Sequence, residues 1–227
     1  MLEGARLVFD ALNSSYEVET FLITESANEK YFDSSVQMQR KSKNSYFISD
    51  TLSQKISETK NSQGVFAVCK MKNEKISLKT GQKYIALDNL QDPGNLGTVI
   101  RTAEALGISS VIVGGGCDVF NPKVLRASMG SVLRLDVFEC QSLAPVLQKA
   151  KSLGIKTYAT SPDSSAKKIN ETQFPKSSLC VIGNEANGVS DEVMNICDET
   201  VTIPMLGRAE SLNAHVAGAI VMWEMLR

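Results

Sequence analysis

Apolar and polar positions follow two rhythms along this chain, and the change between them divides it. Upstream, Leu7, Val8, Ala11 and Leu12 recur at helical spacing and predict a short amphipathic helix over 4–13. Val18-Glu-Thr-Phe-Leu-Ile-Thr24 reads as a strand, 28–39 as a weaker helix, 46–49 as a strand, 51–59 as a polar helix and 64–70 as another strand. Together they predict a small α/β unit over residues 1–75. The following residues turn polar and lysine-rich and are punctuated by Gly81, which predicts a linker over 76–82. From Lys83 the rhythm is regular. Strands at 84–87, 110–113, 133–138, 156–159, 178–182 and 200–203 are interleaved with helices at 96–106, 122–129, 143–153, 191–197 and 212–227. This order predicts a parallel sheet covered on both faces over 83–227.

Three glycine-punctuated segments stand at strand ends in the second unit. They are Asp92-Pro-Gly-Asn-Leu-Gly-Thr-Val-Ile-Arg101, Val181-Ile-Gly-Asn-Glu-Ala-Asn-Gly188 and Ile203-Pro-Met-Leu-Gly-Arg-Ala-Glu-Ser-Leu-Asn213. Ligands of open α/β sheets bind at the carboxyl ends of strands, so three such turns together point to a site. In the first, Asn95 stands where a helix N-cap belongs. Arg101 has two readings: a surface partner of Glu104, or a guanidinium aimed at phosphate. The second segment lacks the spacing of a dinucleotide fingerprint and any phosphate-loop lysine. Its Glu185 either points into a site or serves the dipole of the helix that follows. The third is too apolar for an ordinary surface loop; Ile203, Met205 and Gly207 suit an apolar ring held by backbone groups. Ser211 is a good cap for the last helix, Asn213 has no capping excuse, and Leu212, Val216, Ala219, Ile220 and Trp223 form that helix's expected core stripe. His215 is either structural or a base. Gly114-Gly-Gly116 reads as a flexible loop near the site.

Composition narrows the classes. No apolar run approaches the roughly 18 residues needed to span a membrane, and the start of the chain lacks a signal-peptide pattern. Five cysteines without a Cys-x-x-Cys pair, and one histidine, predict reduced thiols in a cytoplasmic protein with no metal site. The net charge of −1 selects no partner, but its distribution is uneven. Residues 40–83 hold ten Lys/Arg against three Asp/Glu, a stretch readable as an RNA face or as a solvated surface.

The ordered trio of segments resembles the three signature motifs of the SpoU, or TrmH, class of RNA ribose 2′-O-methyltransferases. Asn121-Pro-Lys-Val-Leu-Arg-Ala-Ser-Met-Gly130 is similar to another stretch typical of that class. The resemblance covers about residues 83–227; residues 1–75 resemble the small ribosomal protein L30e-like RNA-binding domain that often precedes it. It implies a SPOUT fold, an α/β parallel sheet whose last helix is threaded into a deep trefoil knot. It implies S-adenosylmethionine bound in the knot, a homodimer built on it, and an RNA substrate, ribosomal RNA ahead of tRNA. Carried over residue by residue, Gly183, Ile203, Met205, Gly207 and Leu212 contact the cofactor. Asn95, Arg101, Glu185, Ser211 and Asn213 are the catalytic and substrate-positioning set. With the basic stretch read as an RNA face, Arg40, Lys41 and Lys43, joined by Arg126, are the RNA-binding candidates.

Three features depart from the class. Ala214-His-Val-Ala-Gly218 stands where small residues are usual, so His215 is out of pattern. Leu135-Asp136 stands where a proline is common, and the chain starts inside the first motif of its N-terminal domain. Two rivals follow from the same residues: an RNA-binding protein of this fold without catalysis, and a nucleotide-dependent oxidoreductase on a doubly wound sheet.

Overall fold

The computed structural model describes residues 1–72 and 75–227. The chain forms two compact units, residues 1–73 and 74–227.

The first unit comprises β1 (Leu2–Glu3), α1 (Ala5–Asp10), β2 (Val18–Ile23), α2 (Glu25–Lys30), α3 (Phe32–Lys41), β3 (Asn44–Phe47), α4 (Asp50–Ile56) and β4 (Val65–Cys69). Its sheet has the order β1-β4-β2-β3, with β2 antiparallel to β4 and parallel to β3. Val8, Phe21, Ile23, Met38 and Phe66 are among its fully buried apolar side chains. The helix expected over 28–39 is two helices. Thr24 starts α2 early by accepting the Ala27 N–H, and the backbone turns at Tyr31 before α3 begins.

Two of the three upstream cations expected on RNA have other partners. Lys41 Nζ donates to the carbonyls of Ala11, Leu12 and Ser14 at 2.6, 2.8 and 2.8 Å, closing the short 3-10 turn that follows α1. Lys43 pairs with Glu17 at 2.5 Å. Arg40 is exposed at the end of α3.

The second unit comprises β5 (Lys83–Asp88), α5 (Pro93–Leu106), β6 (Ser110–Gly114), α6 (Pro122–Ala127), β7 (Asp136–Cys140), α7 (Ala144–Ser152), β8 (Lys156–Thr160), β9 (Lys167–Lys168), β10 (Ser178–Ile182), α8 (Asp191–Ile196), β11 (Glu199–Thr202) and α9 (Ala214–Leu226). The seven-stranded sheet has the order β7-β6-β5-β10-β8-β11-β9, and every neighbouring pair is parallel. Strands β6 and β10 are short apolar runs buried on both faces, as parallel strands covered by helices must be, whereas β7 and β9 at the two edges of the sheet carry exposed side chains. Residues 131–133 form a 3-10 turn, so β7 begins later than expected.

The stretch expected to be a linker is part of this unit. Leu78 is buried and Ile76 half-buried against the core, alternating with the exposed Lys75, Ser77 and Lys79. The Lys79 N–H donates to Tyr84 Oη at 2.7 Å, and the Gly81 N–H to Ser177 Oγ at 2.6 Å. Polar composition had masked a period-two pattern.

The last helix also differs from expectation. Its buried residues are Ala214, Gly218, Val221, Met222 and Met225, whereas Trp223 and Val216 are exposed. Of the rest of the expected stripe, Ala219 and Ile220 are half-buried and Leu212 lies ahead of the helix.

Candidate active site

The carboxyl ends of β5, β8, β10 and β11 lie on one edge of the parallel sheet, and the loops leaving them build the site. β5 is followed by a turn through Asn89, whose φ of 56° is left-handed, a conformation asparagine tolerates. The chain then enters α5 through Asp92. Asp92, not Asn95, is the N-cap: its Oδ1 accepts the Asn95 N–H at 2.7 Å. Pro93 explains the shift, because proline at the first helical position places the cap one residue before it. Asn95 therefore lies within the first turn, 7% exposed, with its side chain released from capping.

The loop after β10 is pinned to this turn at both ends. Asn184 Nδ2 donates to the Asn89 carbonyl at 2.7 Å, and Asp88 Oδ2 accepts from both the N–H and the hydroxyl of Ser190, at 2.8 and 2.7 Å. Inside the loop, Asn184 and Gly188 exchange both backbone hydrogen bonds, at 2.9 Å each. A Cβ on Gly183 would lie 2.1 Å from the Gly188 carbonyl carbon and 2.2 Å from the Val189 nitrogen. This glycine is required by the loop's own close approach.

The loop delivers Glu185 to the amino end of α5, not to the helix that follows it in sequence. Asn95 Nδ2 donates to Glu185 Oε1 at 2.9 Å, and the backbone N–H groups of Gln91 and Asp92 point at the same carboxylate at 3.3 Å. Burial pushes the Glu185 carboxyl up, but these donors outweigh it and hold it below its ordinary value. On the far side, His215 Nδ1 lies 3.0 Å from Asn95 Oδ1. His215 belongs to the first turn of α9, whose N-cap is Asn213: its Oδ1 accepts the His215 N–H at 2.9 Å. Asn213 thus has the capping role expected of Ser211, which is exposed and faces the cavity described next.

A cavity of about 270 Å³ opens beside Glu185. Ile182, Ile203, Leu212, Ala214 and Ala217 supply its apolar wall, and Gly183, Met205, Glu185, Glu210 and Ser211 also line it. No lysine, arginine or histidine is among the lining residues. The structure thus brings Gly183, Ile203, Met205, Leu212, Glu185 and Ser211 to one cavity, with Asn95 one hydrogen bond away. Gly207 is not brought there, and a Cβ added to it would meet open space. Leu212 lies ahead of α9 and lines the cavity in place of the helix core.

Arg101 is exposed on α5. Its expected partner Glu104 instead accepts from Arg134 Nε and from Ser131 Oγ, both at 3.1 Å, and no ion pair to Arg101 occurs among the described residues. Arg126 is exposed on α6. The sequence offered His215 only as an alternative. Its signal was a bulky polar residue in a run of small ones. Among the described residues no cluster of His, Cys, Asp and Glu could hold a metal. The cysteines are unbridged, and burial pushes the Cys197 thiol up to about 12, outside the range of a reactive thiolate.

The chain is similar to known proteins over almost its whole length. Residues 82–223 match the model of the SpoU rRNA Methylase family, and residues 1–67 match that of the MRM3-like substrate binding domain. A 23S rRNA (guanosine(2553)-2′-O)-methyltransferase of Bacillus subtilis, RlmP, is 34% identical over 99% of this chain and 87% of its own. Among solved structures, the SpoU methyltransferase AviRb of Streptomyces viridochromogenes, in complex with the cofactor AdoMet, superposes with a TM-score of 0.86 at 27% identity, covering 99% of this chain and 88% of that one. A TrmH-family RNA methyltransferase from Porphyromonas gingivalis gives a TM-score of 0.84 at 30% identity over the same shares.

Proposed function

Because the chain belongs to the SpoU rRNA Methylase family, we propose that it transfers a methyl group from S-adenosylmethionine to a ribose 2′-hydroxyl of ribosomal RNA. The observation that carries this reading is the convergence of the β8, β10 and β11 loops on one cavity, with the Asn95–Glu185 pair at its edge.

The cavity fits the cofactor chemically. An apolar wall of Ile182, Ile203, Leu212 and Ala217 suits an adenine ring, and Glu185 and Glu210 suit a ligand that carries a sulfonium and an ammonium group. A pyrophosphate-bearing dinucleotide would meet two carboxylates and no cation in the same lining, which argues against the oxidoreductase rival. S-adenosylmethionine, when bound, supplies an already activated methyl. What remains for the protein is to align the poor 2′-hydroxyl nucleophile and to assist loss of its proton. Asn95 and Glu185 orient groups at the cavity edge, Ser211 faces it, and Arg101, exposed on α5, faces the RNA backbone. A guanidinium is always charged, so Arg101 is assigned to holding phosphate.

Residues 1–67, matched by a substrate-binding model, are assigned to RNA. An rRNA-modifying relative that aligns over nearly the whole chain favours rRNA over tRNA as the substrate. A deep knot is supported by the insertion of β10 between β5 and β8 and by the packing of α9 against α5. The test uses methyl-labelled S-adenosylmethionine and unmodified rRNA. Label should appear in a dinucleotide resistant to alkali, because a methylated 2′-oxygen cannot attack the neighbouring phosphate. Label confined to bases, or none, would overturn the assignment.

A further inference from the structure

His215 is the single histidine of the chain, and the direction of its hydrogen bond to Asn95 can be derived. Glu185 is held as a carboxylate and has no proton to give. Asn95 must therefore turn its NH₂ group to Glu185, at 2.9 Å, and its carbonyl oxygen to the imidazole, at 3.0 Å. No amide flip escapes this, because the reverse orientation sets oxygen against oxygen. Asn95 Oδ1 only accepts, so the hydrogen resides on Nδ1 of His215 and Nε2 is the bare nitrogen of the neutral ring.

We infer that His215 is a positioning residue for methyl transfer, donating from Nδ1 to Asn95 and through that amide fixing the carboxylate of Glu185 at the cavity edge. The inference rests on the methyltransferase reading above for its activity arm only. The relay joins three elements remote in sequence: α9, α5 and the loop after β10. Asn95 is nearly buried and would lose its oxygen's partner without His215, leaving the amide free to rotate. Glu185 would then rely on the two backbone donors at 3.3 Å, longer than the 2.9 Å contact it has with Asn95. The place of the imidazole is itself set by the Asn213 cap on its own N–H.

Two measurements decide this. Because there is one histidine, long-range proton–nitrogen NMR of the whole protein reports its tautomer without assignment. Protonated Nδ1 with bare Nε2 is expected in the neutral ring, shifting toward the Nε2–H form in Asn95→Ala. An Nε2–H ring in the unaltered protein would overturn the inference, whether or not the protein methylates RNA. In the second, His215→Ala and His215→Gln should each lower kcat about tenfold, the scale of one buried hydrogen bond, with the Kd for S-adenosylmethionine nearly unchanged. His215→Asn, whose NH₂ occupies the place of Nδ1, should restore most of the rate. Equal rates in all variants, or equal losses in all three with matching falls in Tm, would mean that the ring merely packs α9 on α5. Absence of methyl transfer in the unaltered protein would remove the parent reading and leave the tautomer result standing.

Discussion

At the scale of single residues, two of the glycines that flagged the site, Gly97 and Gly183, are required by backbone packing. A Cβ on Gly97 would fall 2.6 Å from Ala127 Cβ and 2.7 Å from the Val124 carbonyl oxygen, so this glycine is needed for α5 and α6 to touch. Gly183 has the same kind of reason within its own loop, and a methyl there must displace the segment that carries Asn184 and Glu185. Gly183→Ala is therefore expected to weaken S-adenosylmethionine binding by on the order of tenfold or more while far-UV circular dichroism stays native. An unaltered Kd by calorimetry would mean that the cavity does not depend on this loop. Glu185 gives a second expectation. Burial raises its carboxyl, the Asn95 side chain and the Gln91 and Asp92 backbone N–H groups lower it, and the donors win. A carboxyl depressed on folding contributes stability that is fully present above its ordinary value of 4.5 and is lost as pH falls through the lower folded value. Tm should accordingly fall more steeply on the acid side in the unaltered protein than in Glu185→Gln. Superimposable acid limbs would show that those donors do not select the ionised form.

At the scale of elements, what the sequence disclosed depended on whether one period or two competed. The parallel strands read clearly, because runs such as Ser110-Val-Ile-Val113 and Ser178-Leu-Cys-Val-Ile182 are short, apolar and β-branched. Helix starts were misplaced wherever two capping residues stood close together. Asp92 and Asn95 both suit a cap, and only Pro93 decides between them; Ser211 and Asn213 pose the same choice at α9. The pairing of Glu185 with Asn95, ninety positions apart in sequence, was out of reach of any local pattern, although both residues were singled out separately. Lysines misled for a related reason, since sequence charge does not reveal what an ammonium touches. Lys41 holds three carbonyls of the turn after α1, and Lys43 lies on the surface beside Glu17. Lys41→Ala should thus lower the stability of the first unit by about 2 kcal/mol, the scale of losing charged hydrogen bonds to backbone, whereas Lys43→Ala should leave it within about 0.5 kcal/mol. Equal Tm values for the two variants would restore Lys41 to the surface role expected from composition.

At the scale of the whole molecule, the two units suggest divided labour. The cavity and every residue lining it lie in the second unit, whereas residues 1–67 match a substrate-binding model. Residues 75–227 alone are expected to bind S-adenosylmethionine with native affinity but RNA more weakly, with a shallower dependence on salt because fewer phosphate counterions are released. The same RNA affinity and slope would place the RNA face in the second unit. The second unit in turn looks incomplete as a monomer, and α9 is the reason. Ala214, Gly218, Val221, Met222 and Met225 face its own core, yet Val216, Trp223 and Leu226 recur at helical spacing with exposures of 37%, 62% and 38%. A helix apolar on nearly every side is ordinarily buried on every side. We propose that this tryptophan and its two aliphatic neighbours form the surface on which a second copy docks, the homodimer that the family resemblance implies. Trp223→Glu would set a charge in the middle of that face without touching the inward side of the helix. It is expected to convert the protein from dimer to monomer by light scattering at micromolar concentration, with circular dichroism unchanged. If Trp223→Glu retains the mass of the unaltered protein, α9 does not form the interface and its outer face has another occupant.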